Sequence, residues 1–401
     1  MISVLRQYNY RLWATADLIS VTGTWMQVLG VNWYLLQATG SPARMGLGIV
    51  LQALPALLIG PYAGALADRI RPRPLLIATQ VAHAGLAAAL AGLATSGGHQ
   101  IWPVYVISTL SGVVSAIDGP ALGRFGTMVV GPARLGNALA FGSLINSTGR
   151  VAGMSLGGVL VAVGGTAPLF AGNAVSFLAV VAALLLMRPS QWYALARPDS
   201  VSEGAVRAGF AYLLRQPGAL IVLALALVLG SLGRNYQVTM AAMSTGPLHG
   251  GAGGYGLLSA VFAGGTVVGA LLAAHRGRFT HRLLIGAGLL ASGLQLLAGL
   301  APNLTIFAGL LVPIASAAVV IDTTVSARVQ LDTREDMRGR VLSAMSIVSA
   351  VSGMAGAPLL GWLSETLGPR TTLVFAGTVG LLACAVAARA LTARRPRLVP
   401  A

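Results

Sequence analysis

The sequence predicts an all-α integral membrane protein whose twelve transmembrane helices form two pseudo-symmetric six-helix bundles. Three observations carry that prediction. Hydrophobic residues make up 56% of the 401-residue chain and charged residues only 9%, whereas a soluble domain carries about a quarter charged residues. Twelve apolar stretches reach the length, about 20 residues, that a helix needs to cross the hydrocarbon core. Four short motifs recur at nearly one offset between the two halves of the chain.

The spans are expected at about 12–37, 44–67, 74–95, 101–123, 136–163, 166–187, 218–243, 253–274, 282–301, 304–327, 340–363 and 371–390. Spans 1–6 make an N-terminal bundle over 1–187, and spans 7–12 a C-terminal bundle over 218–401. A cytoplasmic linker, 188–217, joins them. The run that forms span 1 is too long for a signal-peptide core and is followed by further spans, so no cleaved leader is expected. Trp33 and Tyr34 close span 1 while Trp102 and Tyr105 open span 4 on the same side, which suits an interfacial aromatic belt. In the linker, Val206, Phe210, Leu213 and Leu214 lie at i, i+4, i+7 and i+8, one face of a short amphipathic helix on the inner surface. Pro217 ends it.

Charge placement fixes the orientation. With the N-terminus inside, 22 of the 26 basic residues, all of them arginine, fall in inner loops or at the termini. Arg44 and Arg370 face outward, and Arg150 and Arg234 lie inside spans. The positive-inside rule therefore predicts both termini in the cytoplasm of a bacterial inner membrane. The formal charge of +16 is thereby a topology signal, and no nucleic-acid partner is expected.

The repeat is read from four correspondences. Ile117-Asp118-x5-Arg124 matches Ile321-Asp322-x5-Arg328, and Gly64-Ala-Leu matches Gly269-Ala-Leu. Gly136-Asn-Ala-Leu139 matches Gly339-Arg-Val-Leu342, and Phe170-Ala-Gly172 matches Phe375-Ala-Gly377. Their offsets are 204, 205, 203 and 205 residues.

Soluble-enzyme motifs are absent in usable form: there is no phosphate-binding loop and no plausible Ser-His-Asp set. The histidines, His83, His99, His249, His275 and His281, are scattered, so no catalytic or metal role is expected of them. Cys384 is the only cysteine and sits in an apolar run, which suits inert packing. Neither an enzyme activity nor a cofactor is expected.

The stretch Gly60–Arg73 ends span 2 and starts span 3. Its Gly64-x-Leu66-Ala67-Asp68-Arg69-x-x-x-Arg73 pattern resembles the signature loop of the major facilitator superfamily, with Arg71 at the usual glycine position. Within that superfamily the chain is most similar to bacterial exporters of the enterobactin-export and macrolide-efflux type. The residues carrying this are Leu18-Ile-Ser20, Gly23-Thr-Trp25-Met26-Gln27, Asn137-Ala-Leu139, Asn146, Arg150-Val, Gly153, Gly157-Gly158, Gly209–Pro217 and Arg338-Gly-Arg340-Val-Leu-Ser343. The resemblance implies the major facilitator fold, a substrate site near the midplane between halves, and export driven by the proton gradient.

Candidate residues follow. Arg150 and Arg234 stand near the middle of spans 5 and 7, where a charge costs ~2.5–3.5 kcal/mol even on a lenient insertion scale and must face a partner or a wet cavity. They are expected either to bind an amphiphilic substrate with an anionic bias or to pair internally, Asp17 being the plausible partner. Trp25, Gln27, Asn146, Asn235 and Gln237 complete the candidate substrate set. Asp17, inside span 1, is the first choice for proton coupling. Asp68, Arg69 and Arg73 are expected to gate the inner face. Asp118, Arg124, Asp322 and Arg328 form either a symmetric inner gate or helix-end ion pairs. Gly149-x-x-x-Gly153-Met154-x-x-Gly157-Gly158 resembles an antiporter signature with methionine in place of proline. Gly153, Gly157 and Gly158 are thus expected as a hinge and seal, or as a plain packing face. The partners expected are one small amphiphile, protons and lipid, acting on a monomer. Lipid flipping and a non-transporting sensor are the alternative readings.

Overall fold

The helix boundaries follow from their end residues. In the computed structural model, which describes residues 5–97, 100–131, 134–193, 211–233, 235–276, 279–334 and 337–392, all regular structure is helical. The N-terminal half holds α1 (Tyr8–Thr39), α2 (Pro42–Arg69), α3 (Pro72–Thr95), α4 (Trp102–Val130), α5 (Leu135–Gly164) and α6 (Ala167–Leu186). The C-terminal half holds α7a (Pro217–Gly233), α7b (Tyr236–Thr245), α8 (Gly251–Arg276), α9 (His281–Gly299), α10 (Leu304–Leu331), α11 (Arg338–Thr366) and α12 (Pro369–Thr392). Every expected span is present, the seventh as two pieces. Proline opens α2, α3 and α12, where its missing N–H costs nothing. Side chains cap α2, α9 and α10: Ser41 accepts from the Arg44 N–H, Thr280 from that of Leu283 and Asn303 from that of Ile306. Gly40 ends α1 at φ 63°, the left-handed conformation that glycine adopts without strain.

Ten spans are long and apolar enough to cross a membrane. α1 and α5 are as long but less apolar: α1 carries Asn9, Asp17, Gln27 and Asn32, and α5 carries Asn137, Asn146 and Arg150. These helices pack on each other, and α1 also packs on α6. The pairing repeats in the second half, where α7a packs on α11 and α12, and α9 on α10 and α12. The duplicated sequence is therefore a duplicated architecture.

Contacts divide the chain into two units, Met1–Asp199 with Gly250–Ala263, and Ser200–His249 with Gly264–Ala401. The first half of α8 joins the first unit through a backbone contact: a Cβ on Gly158 of α5 would meet the Gly256 Cα at 2.5 Å. Trp33 and Tyr255 stack beside it, ring centroids 5.9 Å apart. The first unit's core gathers Leu76, Ala121, Phe125 and Leu184, and the second unit's gathers Leu284, Val341 and Cys384. Most of the linker lies outside the described residues, including Val206 and Phe210. Its end, 211–214, is helical and buries Leu213 in the second unit's core.

Matching sequence does not mean matching packing. A Cβ on Gly269 would meet the Ser316 Cα at 2.7 Å, whereas one on Gly64 would have nothing within 4 Å.

Candidate functional site

α5 meets α1 through its glycines. A Cβ on Gly149 would meet Val21 Cγ1 at 2.7 Å, one on Gly153 would meet Trp25 Cβ at 2.8 Å, and one on Gly157 the Met26 Cα at 3.4 Å. Two of the candidate hinge glycines, Gly153 and Gly157, thus seat α1, and Gly158 seats Gly256 of α8; small residues let the helices close to backbone contact. The next residue to Gly149 projects Arg150, half-buried, with its guanidinium carbon 5.7 Å from the centre of the Trp25 ring. Among the described residues no salt bridge joins Arg150 to Asp17, the internal pairing that is the alternative to substrate contact, and the cation–π contact is one of the interactions Arg150 makes. Asp17 is half-buried, two turns away on α1, and no basic side chain bridges it among the described residues.

Gln27 is turned toward α6, where its Oε1 accepts from Asn173 Nδ2 at 2.8 Å. Asn173 is fully buried and in turn accepts from Ser176 Oγ at 2.8 Å. Gln27 and Asn32 border a small polar cavity of about 50 Å3 with Gln52, His83, Ser111 and Ser115. His83 stacks on Phe177 at 4.9 Å. Asn146 lies exposed on α5 and does not join this cluster.

The second unit contains a larger, mainly apolar cavity, about 190 Å3, at the break in the seventh span. Gly233, Tyr236, Ser292, Gln295, Asp322 and Ser349 stand around it. A helix interrupted inside a membrane frees backbone carbonyls that water does not reach, so side chains must cover them. Gln295 Nε2 donates to the Leu232 carbonyl at 2.9 Å and Asn235 Nδ2 to that of Ser231 at 3.3 Å. Ser352 of α11 holds α7a by donating to the Leu227 carbonyl at 3.0 Å. Gln237 follows on α7b, half-buried. Arg234, at the break itself, lies outside the described residues.

Neither Asp-x5-Arg repeat closes into an ion pair. Six residues turn a helix by about 600°, which puts the two side chains on different faces. Asp118 is buried on α4 and accepts from α3, from Thr79 Oγ1 at 2.5 Å and Gln80 Nε2 at 3.1 Å. Arg124 donates instead to the Ala67 carbonyl, at the Asp68 turn. Asp322 is exposed to the second unit's cavity, and Arg328 bridges Asp332 at 2.6 Å. Of the inner-face group, Arg69 is exposed. Arg73 caps α6, donating to the Leu184 carbonyl at 3.1 Å and stacking 5.4 Å from the Trp192 ring. The side chain of Asp68 lies outside the described residues.

Sequence reasoning passed over Thr79, Gln80, Asn173, Gln295 and Asp332. Each of the first four is a polar group in an apolar span, which is itself a signal that a partner or cavity exists.

Among the described residues no group of three or more His, Cys, Asp or Glu side chains stands together as a metal site would require. The model of the transmembrane secretion effectors, a branch of the major facilitator superfamily, matches residues 1–396. The chain belongs to that family. Curated relatives of this chain agree with the resemblance read from its motifs. The uncharacterized MFS-type transporter YfiS of Bacillus subtilis is 24% identical over 366 residues, 87% of this chain and 86% of the relative. Macrolide efflux protein A of Streptococcus pyogenes is 21% identical over 92% of each chain. The staphyloferrin A transporter of Staphylococcus aureus is 27% identical over 45% of each. Among solved structures, the nucleoside transporter NupG superposes with a TM-score of 0.77 at 10% identity, covering 96% of this chain and 99% of NupG. The major facilitator fold is thus shared, and the protein is a multi-pass membrane transporter.

Proposed function

We propose that this transporter is a proton-coupled exporter of an amphiphilic small molecule, such as a drug or siderophore, working by alternating access in a bacterial cytoplasmic membrane. The observation that carries the reading is the interrupted seventh span bordering a mainly apolar cavity into which a few polar groups, Gln295, Ser292, Asp322 and Ser349, are set, a lining that suits an amphiphile. Discontinuous helices are where transporters of this kind build substrate sites. Relatives named for macrolide efflux and staphyloferrin A transport supply the substrate class.

In this reading Arg150, Arg234, Trp25, Gln27, Asn146, Asn235 and Gln237 are the substrate-contacting residues, and the cation–π pair of Arg150 and Trp25 supports the two of them. Asp17 carries the coupling proton, because it is a half-buried carboxylate in a span and has no basic partner bridging it among the described residues. The inner gate centres on Asp68 with Arg69, Arg73, Asp118, Arg124, Asp322 and Arg328. Support comes from the Arg124 bond to the Ala67 carbonyl, which ties α4 to the turn that Asp68 occupies. Gly153, Gly157 and Gly158 act as the seal by keeping α5 at backbone contact with its neighbours.

The test uses inside-out membrane vesicles and a panel of labelled macrolides and siderophores. At least one compound is expected to accumulate on imposing a proton gradient and to leak out on adding an uncoupler. Asp17→Asn is expected to abolish gradient-driven accumulation but to keep substrate exchange, and Arg150→Gln to raise KM. Accumulation that persists with the uncoupler sinks proton coupling. Uphill transport by Asp17→Asn moves the coupling site elsewhere.

A further inference from the structure

The second unit holds a cavity of about 760 Å3 between α8, α9 and α10, well away in sequence from the break in α7. Its walls include Val268 and Leu272 of α8, Leu290 of α9 and Val312 of α10, all exposed apolar side chains on membrane spans. Gly286 lies among them, and a Cβ there would meet nothing within 4 Å. One end of the groove is different. Arg276, the last residue of α8, and Arg282, the second of α9, line it there.

Both arginines are exposed, and among the described residues neither has a hydrogen bond or an ion pair to the protein. The Asp332 carboxylate at the end of α10 is already taken by Arg328 at 2.6 Å and His281 at 3.8 Å. The contrast with the first unit is informative. There Arg73 turns inward onto the Leu184 carbonyl and the Trp192 ring, whereas Arg276 and Arg282 keep their donors for something outside the chain.

The depth of the groove also fits. Val268 lies eight residues before Arg276, and Leu290 eight residues after Arg282. At 1.5 Å per residue that is about 12 Å, most of one leaflet of a hydrocarbon core about 30 Å thick. An ion lodged at the arginines would leave this apolar length unfilled; an acyl chain fills it.

We propose that the groove between α8, α9 and α10 binds one anionic phospholipid of the cytoplasmic leaflet. Its phosphate lies between Arg276 and Arg282, and one acyl chain runs past Leu272, Gly286 and Leu290. Guanidinium forks match phosphate oxygens, and basic residues at the inner surface are drawn to anionic lipid. The arginine count places this end of α8 and α9 inside.

The experiment is native mass spectrometry of the purified, detergent-solubilised transporter. Phosphatidylglycerol and phosphatidylcholine with identical acyl chains are titrated in. Wild type is expected to retain one phosphatidylglycerol in preference to phosphatidylcholine. With about a five-fold contribution from each arginine, the Arg276→Gln/Arg282→Gln double variant is expected to lose on the order of 30-fold in that affinity. Gly286→Leu, which fills open space rather than disturbing packing, is expected to weaken retention with both arginines intact. Arg215→Gln, an exposed basic residue of the linker's end, is expected to change nothing. Equal retention of the two lipids by wild type overturns the proposal, as does an unchanged affinity in the double variant. So does glycerol phosphate, which lacks acyl chains, competing as strongly as the lipid. None of these readouts depends on transport, so the result stands apart from the exporter reading.

Discussion

Replacing Gln295 with methionine measures how the break in the seventh span is held. Gln295 is 3% exposed, and its Nε2 donates to the Leu232 carbonyl at 2.9 Å. Leu232 lies in the last turn of α7a, where carbonyls lose their helical partners. Methionine keeps the approximate volume and removes the donor, so the substitution isolates the hydrogen bond. An orphaned buried carbonyl costs about 1–3 kcal/mol, while side-chain hydrogen bonds in membrane bundles average only about 0.6 kcal/mol and reach about 1.7. The cavity of about 190 Å3 that borders Gln295 and Gly233 admits water near the freed group, which favours the lower range. The expected loss is therefore about 1 kcal/mol. At about 2–4 °C per kcal/mol for a unit of some 200 residues, Tm falls by that much. Thermal unfolding in detergent, followed by tryptophan fluorescence, reads it directly. A Gln295→Met protein that melts at or above the wild-type temperature refutes the claim that this bond supports the break.

Three further substitutions probe the same architecture. Gly233→Ala is sterically admitted, its Cβ falling 3.7 Å from Gln295 Oε1, and alanine favours helix by about 1 kcal/mol; Tm should rise while transport slows, and unchanged turnover would separate the break from function. Gly153→Leu drives a side chain into Trp25 and the α1 backbone, which should cost about 1–3 kcal/mol; Gly142→Ala, with nothing within 4 Å of its Cβ, should stay within about 0.5 kcal/mol, and equal Tm values for the pair would count against the α1–α5 seam. Asp118→Leu strands the buried Gln80 amide donor, while Thr79 falls back on the Leu76 carbonyl at 3.0 Å, and should cost about 1–3 kcal/mol, whereas Asp118→Asn keeps an acceptor; a leucine variant as stable as the asparagine one would show that the α3–α4 bonds contribute nothing.

The fold was legible because its signals are summed over long windows. Twelve apolar runs and the arginine distribution depend on many residues at once, and the repeat needs only rough register. The site was less so, since it depends on which face of a helix each side chain occupies. Arg150 and Trp25 stand out as a charge and an aromatic in spans, and the structure brings them together at 5.7 Å. Of the two readings of the Asp118–Arg124 and Asp322–Arg328 repeats, the helix-end ion pair fails because residues six apart do not share a face. Gln27 reads as a ligand group but is engaged by Asn173, more than a hundred positions away. The break in the seventh span was hidden inside a continuous apolar run; only Gly233 and Asn235, weak helix formers on either side of a charge, mark it.

The polarity of α1 and α5 bears on how the chain enters the membrane as it is made. A helix that partitions alone must be apolar on its own account, and a centrally placed aspartate or arginine sets it back by ~2.5–3.5 kcal/mol. α1 carries Asp17, and its packing partner α5, bearing Arg150, begins only at Leu135, long after α1 ends at Thr39. Asp17 is the tenth residue of this 32-residue helix, short of its centre, so α1 bears only part of that cost alone and gains correspondingly from packing on α5 and α6 once they are made.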